Sequence, residues 1–268
     1  MAADTSSASR AALPRDPFGR AVTDALTITW RNLKAMTRVP EVIVFSTIQP
    51  IIFVLTFRYV FGGAIMVDGD YVDFLMPGVF VQTVAFGAIN TGVGLSEDLH
   101  KGLIERFRSL PMARSAVLAG RTIADLVRNL LVVALMVGVG FLVGFDIHAG
   151  WPAFVASLGV LLLFGFAMSW IFALIGLAVP NAEATQAASF PLLAILVFAS
   201  TAFVPLQTMP GWLQGYNEWQ PVSVTVEAAR ALALGGATAS AVLQAVVWSA
   251  AIVAVFAPLA VAKYRRAA

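Results

Sequence analysis

The chain has 268 residues, of which 59% are hydrophobic and only 12% are charged. A soluble domain carries about 25% charged residues, so the composition excludes a soluble globular protein. The net charge is +2 and cysteine is absent, which rules out a disulfide framework and any cysteine-based metal site or nucleophile. The two histidines lie in different loops, so we expect neither a metal site nor a catalytic site in this chain.

The N-terminal region precedes the first long apolar run. Residues 1–18 are rich in Ala and Ser and predict a disordered cytoplasmic tail, and residues 1–40 lack the compact apolar core of a signal peptide. Residues 19–38 predict an amphipathic helix, because an apolar arc that includes Trp30 lies opposite a basic face. Such a helix rests on the inner leaflet at the headgroups; a helix packed on a soluble partner is the alternative.

Six apolar runs are long enough to cross a bilayer, which takes about 20 residues. They lie at 41–63, 73–95, 116–145, 152–179, 184–206 and 239–262. Lys and Arg concentrate before the first run, between the second and third, and after the sixth, while the loops 63–72 and 146–151 have none. Since cytoplasmic loops carry the excess of Lys and Arg, the sequence predicts an all-α inner-membrane protein with six transmembrane helices and both termini in the cytoplasm.

The loop 96–114 between the second and third runs predicts a short amphipathic helix. Ser96 is suited to cap its N-terminus, acidic residues follow in the first turn and basic residues lie in the last. Pro111 would end the helix. From the residues alone, it is either a rod that docks on a soluble partner or an ordinary connecting helix. Its candidate contact residues are Glu97, Asp98, Leu99, Lys101, Leu103, Glu105, Arg106, Phe107, Arg108 and Pro111.

Ionisable residues inside membrane spans are functional candidates by default. Arg121, Asp125 and Arg128 share one face of the third run, so Asp125 can pair with either arginine. They either line the cytoplasmic mouth of a translocation path or form a wetted face that emerges from the bilayer, and we favour the wetted face. Arg58 is expected to extend to the headgroups, and Glu183 to cap the fifth helix. The middle parts of the six apolar runs consist almost purely of aliphatic and aromatic residues.

Within the segment 205–236, before the last run, a short stretch is crowded by prolines and aromatic residues and is too short and too interrupted to span: Pro210, Trp212, Tyr216, Trp219 and Pro221. Its aromatic residues favour the membrane interface, although a plain surface loop is the alternative. The candidate interface residues of the chain are Trp30, Trp212, Tyr216 and Trp219.

Four segments in order along the chain resemble type-2 ABC export permeases, and in particular their daunorubicin-resistance branch. They are Phe57–Ala64, Lys101–Met112, Phe203–Leu213, and Gln220–Ser223 followed by Ala229–Gly236. These segments are spread over nearly the whole chain. One of them alone would be a weak indication of the family, but four in the same order are a strong one. One departure is Gln220, where many relatives have Asn.

The resemblance implies a permease domain over 19–263, with a short cytoplasmic tail at 264–268. It implies that the loop 96–114 is a coupling helix seated in an ABC ATPase subunit, and that 205–236 forms two short re-entrant helices in the outer leaflet. A second permease copy or a sister permease would complete the membrane part. The cargo would be hydrophobic or amphipathic: a drug, lipid or glycolipid.

The chain itself has no G-x-x-x-x-G-K-[ST] phosphate-binding loop. ATP and Mg²⁺ are therefore expected on the partner ATPase, with no cofactor in this chain and no nucleic-acid partner.

An ion-coupled carrier or channel is the main alternative function. Such carriers usually hold charges near the membrane midplane, and many are built from inverted repeats, which we do not find in this sequence. A membrane-embedded enzyme is a third possibility, but the sequence offers no nucleophile, metal set or acid–base pair for it.

The predicted topology is testable because the chain has no native cysteine to give background labelling. We expect single cysteines introduced at Ser6, Ser109 or Ala267 to react with an impermeant maleimide only after the inner membrane is opened. Cysteines at Asp70, Gly150 or Gly215 should react in intact spheroplasts. Labelling of position 109 from outside would contradict the six-helix topology.

Overall fold

The computed structural model describes a helical protein, and the residues it describes are 23, 26–27, 29–30, 34, 40–67, 69–100 and 114–267. All regular structure from residue 40 onward in these ranges is helical. The helices are α1 (Pro40–Thr56, continued by a π-helical turn at Phe57–Phe61), α2 (Tyr71–His100), α3 (Arg114–Leu142), α4 (Trp151–Ala178), α5 (Ala182–Phe198), α6 (Gly211–Asn217), α7 (Pro221–Leu234) and α8 (Thr238–Ala267).

The six long helices α1–α5 and α8 lie where the six apolar runs were predicted. Four of them, α2, α3, α4 and α8, are long and apolar enough to cross a membrane. The remaining two, α1 and α5, are shorter apolar helices within the described residues. The prediction of an all-α, polytopic membrane protein is confirmed, while the number of crossings stays a prediction.

Helix α2 occupies the centre of the bundle and packs against α3, α4, α5 and α7. In its most apolar stretch 78% of the residues are buried, against 22% in the corresponding stretch of α8. Near its outer end the Phe80 ring meets the ring of Phe145 edge-on, with centroids 5.8 Å apart. Because α2 is surrounded on most sides, the other helices are positioned by their fit to it.

Glycines bring the backbones of α2 and α4 into direct contact. A Cβ atom on Gly92 would collide with the carbonyl oxygen of Phe172, and one on Gly176 would collide with the carbonyl oxygen of Gly92. Small residues at helix crossings are typical of membrane proteins, where close van der Waals packing replaces the hydrophobic effect as the main attraction between helices.

The C-terminal end of α2 differs from the prediction. Ser96 was expected to begin a new helix, but α2 continues unbroken to His100, whose Nδ1 lies 2.9 Å from the Ser96 carbonyl oxygen. Leu95 is buried and Leu99 packs in the same apolar cluster against α4 and α8. These tertiary contacts extend the helix past Ser96, so the prediction of an N-cap there is wrong.

The predicted interfacial helix 19–38 lies mostly outside the described residues. Those described in it, Thr23, Leu26, Thr27, Thr29, Trp30 and Lys34, are helical. Thr29 is buried and its hydroxyl donates to the Gly120 carbonyl oxygen at 3.0 Å. Leu26 and Trp30 are 58% and 69% exposed. The segment thus contacts α3 while apolar side chains stay uncovered, as an interfacial helix requires; its contact with lipid stays a prediction.

Two polar residues at helix ends act differently from the prediction. The N-cap of α5 is Asn181, whose side chain accepts from the Ala184 amide at 2.7 Å; Glu183 lies in the first turn and is not the cap. Arg58 does not extend freely to the headgroups, because its guanidinium donates to the carbonyl oxygen of Val143 at the end of α3.

The contact between α2 and α4 gives a stability prediction. We expect Gly176→Ala to destabilise the fold by about 1–3 kcal/mol, because the added methyl group overpacks a backbone contact. Gly159→Ala is the matched control on the same helix, since nothing lies within 4 Å of its added Cβ and Ala favours a helix over Gly. The measurement is the temperature at which detergent-solubilised protein loses its gel-filtration peak. If Gly176→Ala and Gly159→Ala lost the peak at the same temperature, the result would contradict a close backbone contact at Gly176.

Candidate functional site

The described part of the predicted coupling segment forms the last turn of α2. Glu97, Asp98 and Leu99 lie there, and Leu99 packs against the protein's own α4 and α8. The other predicted coupling residues, Lys101, Leu103, Glu105, Arg106, Phe107, Arg108 and Pro111, lie outside the described residues, so their role stays a prediction.

An ion pair links this end of α2 to α3. The Arg121 guanidinium lies 2.5 Å from an Asp98 carboxylate oxygen, and both side chains are about one-fifth exposed. Gly94 leaves the space that the pair needs, because a Cβ atom there would overlap the Arg121 guanidinium. Arg121 is therefore engaged by Asp98 on the neighbouring helix and makes no ion pair with Asp125 among the described residues.

A second, deeper network lies one to two turns further into the membrane part. The Thr91 hydroxyl donates to Asp125 at 2.6 Å, and the Arg128 guanidinium lies 3.5 Å from the other oxygen of that carboxylate. Arg128 also donates to the Gly87 carbonyl oxygen at 2.6 Å. Asp125 and Arg128 are only 3% and 5% exposed.

The structure corrects one expectation about these charges. Arg121, Asp125 and Arg128 do not form a wetted face, since the last two are buried between helices. Arg128 lies within the apolar stretch Gly120–Leu142 of α3, before its middle.

Next to this network, residues of α1, α2, α3 and α5 line a partly open cavity of about 410 Å³. We call it the central cavity. Arg128, which is one of the predicted path residues, lines this cavity. The rest of its lining, which the sequence did not single out, consists of Gln49, Pro50, Gln82, Thr83, Phe86, Gly87, Ile89, Asn90, Asn129, Val132, Gln186 and Phe190.

The segment 205–236 contains the two short helices α6 and α7. A buried polar cluster holds them together, in which Ser223 and Gln220 donate to the Asn217 side-chain oxygen at 2.5 and 3.0 Å. Gln220 also reaches the Leu196 carbonyl oxygen at 3.3 Å. The predicted interface residues Trp212, Tyr216 and Trp219 are all exposed. Their insertion into the outer leaflet stays a prediction.

Arg230 is a structural anchor that the sequence analysis above does not single out. Its guanidinium stacks on the Phe74 ring at 3.7 Å and donates to the carbonyl oxygens of Phe74 and Thr201 at 3.0 and 3.1 Å. Glu227 pairs with it at 2.7 Å. These contacts fasten α7 to the start of α2. The available signal in the sequence was a single arginine in the segment 205–236, which holds no other Lys or Arg.

Neither catalytic nor metal chemistry is suggested by the described residues. Among them, no three of the His, Asp and Glu side chains are grouped so that they could hold a metal ion. What the site offers is a polar cavity, two ion pairs and a central helix that connects them.

Comparison with known proteins identifies the family. The model for the ABC-2 type transporter family matches residues 23–234. A daunorubicin resistance ABC transporter permease protein of Streptomyces coeruleorubidus is 39% identical over 91% of this chain and 87% of its own. A probable doxorubicin resistance permease protein of Mycobacterium tuberculosis is 31% identical over 92% and 90% of the two chains.

A more distant relative is the putative transport permease ycf38 of Cyanophora paradoxa, 26% identical over 74% of this chain and 69% of its own. The family match covers most of the chain and agrees with the resemblance read from the four sequence segments. The chain therefore belongs to the ABC-2 type transporter family, as a membrane-spanning permease rather than an enzyme.

Proposed function

We propose that this chain is the membrane-spanning subunit of an ATP-driven exporter that moves a hydrophobic or amphipathic molecule out of the cytoplasm or the inner leaflet. The observation that carries the proposal is the polar connection along α2 and α3, from the Asp98–Arg121 pair at the cytoplasmic end to Arg128 at the central cavity. The names of two relatives point to drug cargo, and lipids or glycolipids share the same amphipathic chemistry.

Coupling to a separate ABC ATPase would act through α2. Residues 101–113 connect α2 to α3 in the chain, so force applied to them would reach the central helix of the bundle through the covalent backbone. The Asp98–Arg121 pair ties the two helices together just inside that loop. A movement of the loop would therefore shift α2 and α3 as a unit, and with them two walls of the central cavity.

A second permease copy or a sister permease would cover the faces of α1 and α5. Large apolar side chains are exposed there, including Ile48, Ile52 and Ile195, and so are the carboxamides of Gln49 and Gln186. Hydrocarbon cannot satisfy the hydrogen bonds of a carboxamide, so these two side chains favour a protein or aqueous neighbour. The assembly would lie in the bacterial inner membrane, with six spans per chain and both termini in the cytoplasm.

An ion-coupled carrier is the second candidate, and the buried Asp125–Arg128 pair is the observation that favours it. Ionisable residues inside a bundle often form proton relays. Asp125, however, is engaged by both Thr91 and Arg128, so a carrier mechanism would have to break these two contacts in each cycle. Family membership also favours the exporter, and the dependence of transport on ATP separates the two.

The first test concerns the coupling loop. Losing one member of a partly desolvated charge pair at an interface costs roughly 2–5 kcal/mol, which weakens docking more than tenfold. Glu105→Lys and Arg108→Glu should therefore leave expression and insertion normal, but reduce co-purification of the ATPase and abolish export. Arg265→Glu is the control and should do neither; Arg265 was predicted to lie in the C-terminal tail 264–268, but it belongs to the last turn of α8. Normal export by both loop variants would reduce the loop to a connector and favour the carrier.

The second test concerns the Asp98–Arg121 pair. Asp98→Arg and Arg121→Asp should each lower export while ATP hydrolysis continues, because either change places like charges side by side. The double variant restores an opposite pair and should recover export, with a coupling energy of about 0.5–3 kcal/mol. Lys263→Asp, at an exposed position on α8, serves as the control. If the double variant is no better than the two single ones, the pair does not link the helices.

A further inference from the structure

The polar wall of the central cavity is made of carboxamides and one cation. Five of its side chains are amides, Gln49, Gln82, Asn90, Asn129 and Gln186, and Arg128 and Thr83 complete its polar groups. Among the described residues no Asp or Glu lines it. The site therefore presents neutral hydrogen-bonding groups that both donate and accept, beside a single positive charge.

The carboxylate that pairs with Arg128 is not part of this wall. Asp125 is not among the lining residues, and its oxygens are occupied by Thr91 at 2.6 Å and by Arg128 at 3.5 Å. A cationic ligand in the cavity would therefore meet the positive end of the Asp125–Arg128 pair, and no carboxylate among the described lining residues would bind it. Like charges repel at such short range, so the cavity disfavours an ammonium group.

Gln82 adds a specific requirement on the ligand side. It is 2% exposed, and its side-chain oxygen has no hydrogen-bond partner among the described residues. A buried acceptor without a partner is costly, and the cost disappears when a ligand O–H or N–H donates to it. Because Gln82 lines the central cavity, a bound molecule can supply that donor.

Arg128 adds a complementary requirement. Its guanidinium carries five N–H donors, and its protein partners are Asp125 and the Gly87 carbonyl oxygen. Donors thus remain for acceptor atoms of a ligand. Among the polar groups, the rings of Phe86 and Phe190 pack with centroids 5.7 Å apart and add an aromatic, apolar surface to the lining. The combination suits a ring with an apolar face and hydroxyl groups at its edge.

We propose that the central cavity binds a neutral, hydroxyl-rich ring of the glycosyl type, as the polar head of an amphipathic molecule, and excludes a cationic head. Hydroxyl groups can donate to the Gln82 side-chain oxygen and can accept from Arg128 and from the amide N–H groups. One type of ligand group can therefore form hydrogen bonds with all the polar side chains of this wall. The volume of about 410 Å³ lies in the range of small-molecule sites. Only the statement that this molecule is exported rests on the proposed function.

The test is equilibrium binding to the purified full chain in lipid nanodiscs, with empty nanodiscs subtracted. The probe is radiolabelled octyl β-D-glucoside below its micelle-forming concentration, and the competitors are the unlabelled glucoside and octyltrimethylammonium, which has the same alkyl chain. We expect the glucoside to compete and the ammonium compound not to. Gln82→Leu should weaken glucoside binding about tenfold, since it removes the buried acceptor.

Gln244→Leu is the matched control, because Gln244 lines a separate cavity beside Arg230 and Trp219; binding should be unchanged. Gln186→Leu is a second test variant, needed because Gln82→Leu could lose binding simply by misfolding. Gln186 lines the same cavity but is exposed, so its replacement leaves the core intact. We expect Gln186→Leu to weaken glucoside binding severalfold. The proposal is overturned if the ammonium compound competes as well as the glucoside, or if Gln186→Leu binds like the unaltered protein. No ATPase is present in this experiment. A lack of glucoside binding would therefore contradict the ligand proposal without bearing on whether the chain takes part in export.

Discussion

The close approach of α2 to its neighbours is the constraint on which the rest of the structure depends. Gly92 and Gly176 let α2 and α4 touch at the backbone, and Gly94 makes room for the Arg121 side chain. In a bilayer, lipid tails solvate apolar side chains as well as other helices do, so attraction comes mainly from such close contact. A bulkier residue at these points would move α2 outward and open both the ion pair and the cavity.

The buried charges show how the bundle tolerates polar groups at its centre. Isolated charges in a low-dielectric interior are costly, and they persist when they are paired and hydrogen-bonded. Asp125 and Arg128 meet both conditions through Thr91 and Gly87. Gly87 also matters for space, since a Cβ atom there would collide with the Asn129 side chain. The network and the cavity wall are therefore built from the same turns of α2 and α3.

Much of the fold could be predicted from the sequence, because spanning helices are governed by length and hydropathy, which are local properties. The long helices lie within a few residues of the predicted runs except where three of them end: α2 passes its run to reach His100, α5 stops at Phe198, and α8 passes its run to reach Ala267. Ser96 was misjudged because its local pattern of a cap before acidic residues was overridden by the packing of Leu95 and Leu99 on α4 and α8.

The candidate site was harder to predict, because its properties depend on which helices meet. Arg121, Asp125 and Arg128 could be placed on one face of a helix, but their partners Asp98, Thr91 and Gly87 all lie on α2. Gln82 and Gln186 have no distinguishing sequence context; only the folded bundle brings them to one cavity.

Pro77 gives α2 an unequal stiffness along its length. The helix has 30 residues, a rod of about 45 Å, and Pro77 is the proline inside it. A proline has no N–H to bond to the carbonyl four residues earlier, here that of Asp73. In the turn that precedes Pro77, the Phe74 carbonyl oxygen accepts a hydrogen bond from Arg230 of α7. The missing backbone hydrogen bond therefore lies close to the turn that Arg230 fastens to α7, so a side-chain contact holds α2 next to the point where its own backbone bonding is weakest.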